Sequence, residues 1–240
     1  MRLFTFILTI TLFCFATCKP NQEKLPEVKW IDFWDVTSLG TPDSLKYLLP
    51  ILDSVYKKDQ YYRTLVSATD EENNHNFSNK LLWKKIEEWD RENLIVVEKI
   101  IAKHGFLGYK DVGTKAATAI FMVIQHADIK TREKYLTQIN RAMKEKNILG
   151  PHYAMYIDRL NKAQHKPQKY GTQLLVYKDT KPELYPLLNA DSVDYWRDEI
   201  KMYESMEKYL GRFKIKWNIE DYKKQHPTLI KKYKVMMPNK

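Results

Sequence analysis

Cysteine is nearly absent. The 240-residue chain has two, Cys14 and Cys18, both in its first eighteen residues. Beyond them neither a disulfide nor a cysteine nucleophile is available, so the fold must rest on its core. Glycine is scarce too, seven in all, and none builds a Gly-rich phosphate loop. His75, His104, His152, His165 and His226 show no HExxH or paired ligand spacing, and zinc-finger spacing is missing. No metal and no cofactor is therefore expected. A Gly-x-Ser-x-Gly elbow is also missing. So are internal repeats, low-complexity tracts and any apolar run near the roughly 20 residues a membrane span needs.

What stands at the N-terminus points to export. Met1-Arg2 precedes an apolar run from Leu3 to Phe15 broken only by threonines. One basic residue and a short apolar stretch match a secretory signal peptide, read as residues 1–17. The junction Phe15-Ala16-Thr17-Cys18 resembles a bacterial lipobox, in which Cys18 would be lipidated. Phe15 and Thr17 depart from its commonest residues. Cleavage after Ala16 and a retained anchor are the alternatives. The expected location is the cell envelope, with a lipid anchor as the membrane partner.

The net charge is +10. From Arg212 to Lys240 nine Lys/Arg face only Glu220 and Asp221. A solvated basic tail over 212–240 is the plain reading, and contact with anionic lipid or envelope polymer the sharper one. Export argues against nucleic acid. Oligomeric state is not legible.

The pattern predicts a mainly α fold, one multi-helix domain over 41–211 with a small β-hairpin near 172–188. Residues 18–40 read as a linker ending in the aromatic segment Trp30-Ile31-Asp32-Phe33-Trp34. Thr41 reads as an N-cap with Pro42 at the first helical position. Leu45, Leu48, Leu52, Val55, Asp59, Tyr62 and Val66 then recur at three- and four-residue steps, with a kink expected at Pro50. Asp59 breaks that stripe, and Arg63 lies one turn on, where the two can pair. Ser78 is a candidate cap for a helix burying Leu82, Ile86, Trp89, Asn93, Val97 and Ile100. Asp90 lies one step off that face, and Gly105 suits its stop.

A third helix, about 114–127, puts Ala116, Ala119, Val123 and His126 on one face. Asp128 reads as the cap of a helix over about 129–146, and Pro151 opens another that carries Asp158-Arg159. Gln173 to Tyr177 has strand character. Val193 to Leu210 reads as helix, and Asn218 as the cap of a last helix stopped near Pro227.

Polar groups crowd the middle third: Gln125-His126-Ala127-Asp128, Asp158-Arg159, and Gln168-Lys169-Tyr170-Gly171-Thr172-Gln173. An unpaired buried polar group costs roughly 1–3 kcal/mol. These groups must satisfy one another or face a ligand. His126 is the candidate acid/base, with Asp128 or Asp158 orienting it. Arg159 suits an anion, and Gln125, Gln168, Tyr170 and Gln173 are candidate ligand contacts. Asp59, Arg63, Asp90 and Asn93 support them. The expected site joins the end of the His126 helix, the Arg159 helix and the Tyr170 turn.

These motifs, with Gly105, Val112-Gly113, Ala116-Ala117 and Val193-Asp194, resemble a bacterial family called domain of unknown function 6624. Asp59-Gln60-x-x-Arg63 and Asp90-x-x-Asn93 resemble its longer, lipoprotein-like members. Trp196-Arg197 stands where the family has paired arginines. The family label implies no activity. Recognition of a small polar or anionic ligand is the first functional expectation. A hydrolase- or transferase-like enzyme and an envelope interaction scaffold are the alternatives.

Overall fold

The computed structural model describes residues 40–72, 80–177 and 180–238, with the side chains of 67–72 left aside. The leader, Cys18, the aromatic segment and Ser78 lie outside these residues. The architecture is mainly α, a single domain of eight helices and one two-stranded antiparallel hairpin among the described residues.

A 3-10 turn at Asp43–Leu45 leads into α1, Leu48–Glu72. The turn is capped by Pro42 without a side-chain bond, and Thr41 Oγ1 is buried without a partner among the described residues, so Thr41 is not the cap. Pro50 does not kink α1. It falls in the first turn, where no intrahelical bond needs its missing N–H. Leu48, Leu52, Val55, Asp59, Tyr62 and Val66 are all buried, so the three-and-four stripe is the inner face. α2, Lys80–His104, answers with Leu82, Ile86, Asn93, Val97 and Ile100. It stops at Gly105, whose φ of 77° suits glycine.

α3, Tyr109–His126, begins earlier than its apolar pattern suggests and is broken at Gly113 (φ 78°, ψ 165°), a conformation open essentially to glycine alone. Beyond the break Ala116, Ala119, Ile120, Val123 and Ile124 are buried. These residues put α3 at the centre of the main core, between α1 and α2 on one side and α4 and α5 on the other. α4 spans Ile129–Lys144 and α5 spans Gly150–Ala163, with Pro151 in the first turn.

A second, smaller core follows. β1, Leu174–Leu175, pairs antiparallel with β2, Glu183–Leu184, and Gln168 bridges to Leu187. The expected helix over 193–210 is two pieces, α6 at Val193–Glu199 and α7 at Met206–Gly211. Lys201, with a φ of 59°, turns the chain between them. α8, Ile219–Tyr233, starts at the Asn218 cap and runs past Pro227. Tyr222 before that proline and Leu229 after it are both buried against the hairpin core, which holds the two halves in line.

Candidate functional site

α3 ends at His126, and Ala127 turns the chain in extended geometry (φ −64°, ψ 171°) before α4 begins. The turn sends His126 and Asp128 apart. Asp128 is exposed, and its Oδ1 accepts the Thr131 amide at 2.7 Å. That cap bond holds its carboxyl below the usual range. It does not orient His126.

The carboxylate on His126 comes from α1. Nδ1 of His126 lies 2.9 Å from Oδ1 of Asp59. Asp59 is 1% exposed and also accepts from Gln60 Nε2 at 2.6 Å and Arg63 Nη1 at 3.2 Å. Burial alone would raise its pKa. The His126 bond, with the charges of His126 and Arg63, outweighs that and holds it low. Because an ionised carboxylate only accepts, Nδ1 carries the proton of this bond, which leaves Nε2 as the ring nitrogen for another partner. Arg63 continues the ladder. Its Nη2 donates to both oxygens of Asp90 on α2, at 2.9 and 2.6 Å. Asn93, one turn on, donates to the carbonyl of Val55 at 3.3 Å and closes α2 on α1. Solvent reaches the side chains of His126, Arg63 and Asp90, each between 15% and 23% exposed.

Asp59, Asp90 and His126 bring one ligand atom each within 4.8 Å of one another. Arg63, bonded to both carboxylates, takes the cation's role there.

The other half of the cluster is cationic. Arg132 of α4 and Arg159 of α5 both donate to the carbonyl of Gln125, at 3.4 and 3.3 Å. Among the described residues neither has a carboxylate partner. Arg132 Nε is buried without a hydrogen bond, and so is Oε1 of Gln125, whose Nε2 donates to the Met155 carbonyl at 3.2 Å. Burial lowers the pKa of Arg132, and of Arg159, where Arg132 and Arg63 add repulsion. Lys162, one turn beyond Arg159, is lowered by burial and by Arg159. Asp128 and Asp59 act on Arg132 and Arg159 in the opposite sense without outweighing burial, and part-buried cations that repel one another cost stability.

Asp158 faces elsewhere. About 100° round α5 from Arg159, it is fully buried beneath the 168–173 turn. It accepts the amides of Lys169, Tyr170 and Thr172 and the Thr172 hydroxyl, at 2.7–3.2 Å. It cannot orient His126, because its lone pairs are spent on that turn. Gln168 donates to Tyr185 and Gln173 carbonyls and accepts the Gln173 amide. Arg197, 1% exposed, donates to the Tyr170 carbonyl at 2.7 Å. Gly171 turns with a φ of 72°. Gln173 Nε2 reaches Thr172 Oγ1 at 3.2 Å.

The expected single site is thus two. Asp59, Arg63, Asp90, Gln125, His126 and Arg159 meet at one cluster, whereas Asp158, Gln168, Tyr170 and Gln173 tie the turn to α5. The sequence alone singles out neither Arg132 nor Lys162, and it marks Arg197 only through its place beside Trp196 in the family pattern. Arg132 had a signal: it stands three residues before Tyr135, where the buried stripe Tyr135, Ile139, Ala142 of α4 would continue.

The sequence pattern of a family of unknown function (DUF6624) matches residues 51–219. No curated protein and no solved structure matches the chain.

Proposed function

The chain belongs to DUF6624, a family of unknown function, and we propose from the site alone that it binds a small anionic ligand at the α1–α3–α4–α5 junction. One observation carries this. Arg132 and Arg159 converge on a single backbone carbonyl, part-buried and without a carboxylate. Guanidinium groups recognise carboxylate and phosphate through paired N–H donors. An anion bound there would supply the direct ion pair that Asp128 and Asp59, which act on these arginines without bonding them, do not. Asp59, which holds the imidazole of His126, also acts on Arg159, and Nε2 of His126 is left for a ligand.

A leader over residues 1–17 followed at once by Cys18 supports a lipid-anchored, cell-envelope setting. No helix among the described residues is long and apolar enough to cross a membrane.

The test is a thermal melt with inorganic phosphate, sulfate and acetate, on wild type, Arg132→Leu and Arg159→Leu. Ligand at 100 times its Kd adds about 2.7 kcal/mol, a shift of several degrees in a domain this size. Wild type should rise with at least one anion, and both variants should fold and not respond. An unresponsive wild type, or variants that respond in full, would refute anion binding at this junction.

A second reading has its own observation. His126, held at Nδ1 by a buried carboxylate and with no hydrogen bond at Nε2 among the described residues, has the arrangement of a general acid/base. Turnover lost in His126→Asn with ligand binding retained would favour this reading.

A further inference from the structure

We infer that the apolar groove between the start of α1 and the end of α2 is the docking site for this chain's own segment Trp30-Ile31-Asp32-Phe33-Trp34, which fastens the linker to the domain.

The groove has a volume of about 250 Å3. Tyr47, Leu48 and Ile51 line one wall, and Val96, Ile100 and Lys103 line the other. The wall from α2 follows helical spacing, so it is one face of that helix. Tyr47 is 47% exposed and Ile51 39%. Large apolar side chains scattered singly over a surface need no partner, but these two share one concavity. The groove lies at the far end of α2 from Leu82 and Ile86, and neither arginine of the anion cluster lines it.

Reach, charge and size select the occupant. Leu45 N donates to the Pro42 carbonyl at 2.9 Å and Leu49 N to the Lys46 carbonyl at 3.1 Å, so tight turns connect the first described residues to the groove. Thr41 is buried, so the chain already lies on the domain there. Trp34 precedes Gly40 by six residues, which span up to about 20 Å. The chain as a whole is strongly basic, yet from Trp30 to Gly40 it holds Asp32 and Asp35 and no lysine or arginine. The groove carries the opposite sign. Lys103 lies over the Tyr47 ring, and Lys99 has no acidic partner among the described residues. The carboxylates nearest in sequence, Asp53, Glu92 and Glu98, are taken by other lysines. Two indoles and a phenyl ring bring large apolar area at low entropic cost, with the two acids beside them to meet the lysines. A second copy of the chain is a poorer fit, because a stable interface buries roughly 800 Å2 on each partner, far more than this groove offers. Where Cys18 carries the anchor, docking ends the tether at Trp30 instead of Gly40 and holds the domain nearer the bilayer.

The test is hydroxyl-radical footprinting of the full chain in detergent, read by mass spectrometry. Wild type is compared with Ile51→Glu and with the double variant Trp30→Ser/Trp34→Ser. Phe33 and Trp34 should be modified several-fold more slowly in wild type than in Ile51→Glu. Tyr47 should be modified several-fold more slowly in wild type than in the double variant. Tyr203→Glu, at a side chain 77% exposed and outside the groove, should change neither rate. Dilution should leave the protection intact, since both partners belong to one chain.

A folded Ile51→Glu in which Trp34 reacts at the wild-type rate overturns the inference, because cover by the micelle gives that result. Protection that fades on dilution assigns the groove to a second copy and overturns it as well. So does a Tyr47 that is equally slow in wild type and in the double variant, which means that something else fills the groove. Should Ile51→Glu fail to fold, the double variant decides alone, since it alters no described residue.

Discussion

His126 and Asp59 stand 67 residues apart and meet at 2.9 Å, joining the last turn of α3 to the middle of α1. The same carboxylate accepts from Arg63, which binds Asp90 on α2. One buried oxygen pair therefore ties three helices together.

Asp59→Asn keeps the shape and removes the charge that His126 and Arg63 rest on. It should cost about 1–3 kcal/mol near neutral pH, read from urea melts. The sign with pH follows from the lowered pKa of Asp59. Its stabilisation is present above the unfolded value, 3.8, and is lost as pH falls through the folded one. The gap between wild type and Asp59→Asn should therefore close in acid. A gap that does not shrink at all as pH is lowered from 3.8 until wild type unfolds would show that the charge is not the source.

Asp158 and Asp128 were both candidate partners of His126, and their environments predict opposite behaviour. Asp158→Asn replaces an acceptor oxygen with an NH2 that faces amide donors beneath the 168–173 turn. A loss of about 2–4 kcal/mol is expected, with hydrogen exchange rising first at Tyr170 and Thr172. Asp128→Ala removes one exposed cap bond, so the melting temperature should move far less. Equal losses at the two positions would contradict the buried role of Asp158.

Periodicity made the helices legible because it reports burial directly. Leu48, Leu52, Val55 and Tyr62 are inside for the reason their spacing indicates. Termini were harder. Pro50 reads as a break in isolation and is harmless in a first turn, while Pro227 is held in line by Tyr222 and Leu229, contacts that no local window contains. Asp59 was visible as a flaw in an apolar stripe, and His126 as a flaw in another. That each flaw answers the other depends on how α1 crosses α3, which periodicity does not encode. The carboxylate nearest His126 in sequence is Asp128, and it is committed to a cap. Asp158 and Arg159 looked like one motif because they are adjacent, and a helix sends adjacent side chains to different surroundings.

Export is tested at Cys18. If the thiol is lipidated, the protein should partition into detergent, and its N-terminal peptide should begin at Cys18 and carry acyl mass. Cys18→Ala should release the protein or leave the precursor uncut. An unmodified mature terminus at Thr17 would rule out the lipid anchor.

The last prediction sets two buried groups against each other. His152 stacks on Phe121 at 4.3 Å, and burial lowers its pKa to about 4. Between that value and the unfolded 6.5 only the unfolded chain is protonated there, so this group makes stability rise with pH. Asp158 runs the other way. Burial raises it to about 6 against the pull of its four donors. Between 3.8 and that value only the folded chain is protonated, so this group makes stability fall with pH. The windows overlap and each slope amounts to about 3 kcal/mol at most, so in wild type they largely cancel. His152→Phe keeps an aromatic ring beside Phe121 and deletes one slope. Urea melts of that variant should show stability falling from pH 4 to pH 6, where wild type stays comparatively flat. Parallel curves for the two proteins would mean that His152 is not held neutral by the fold.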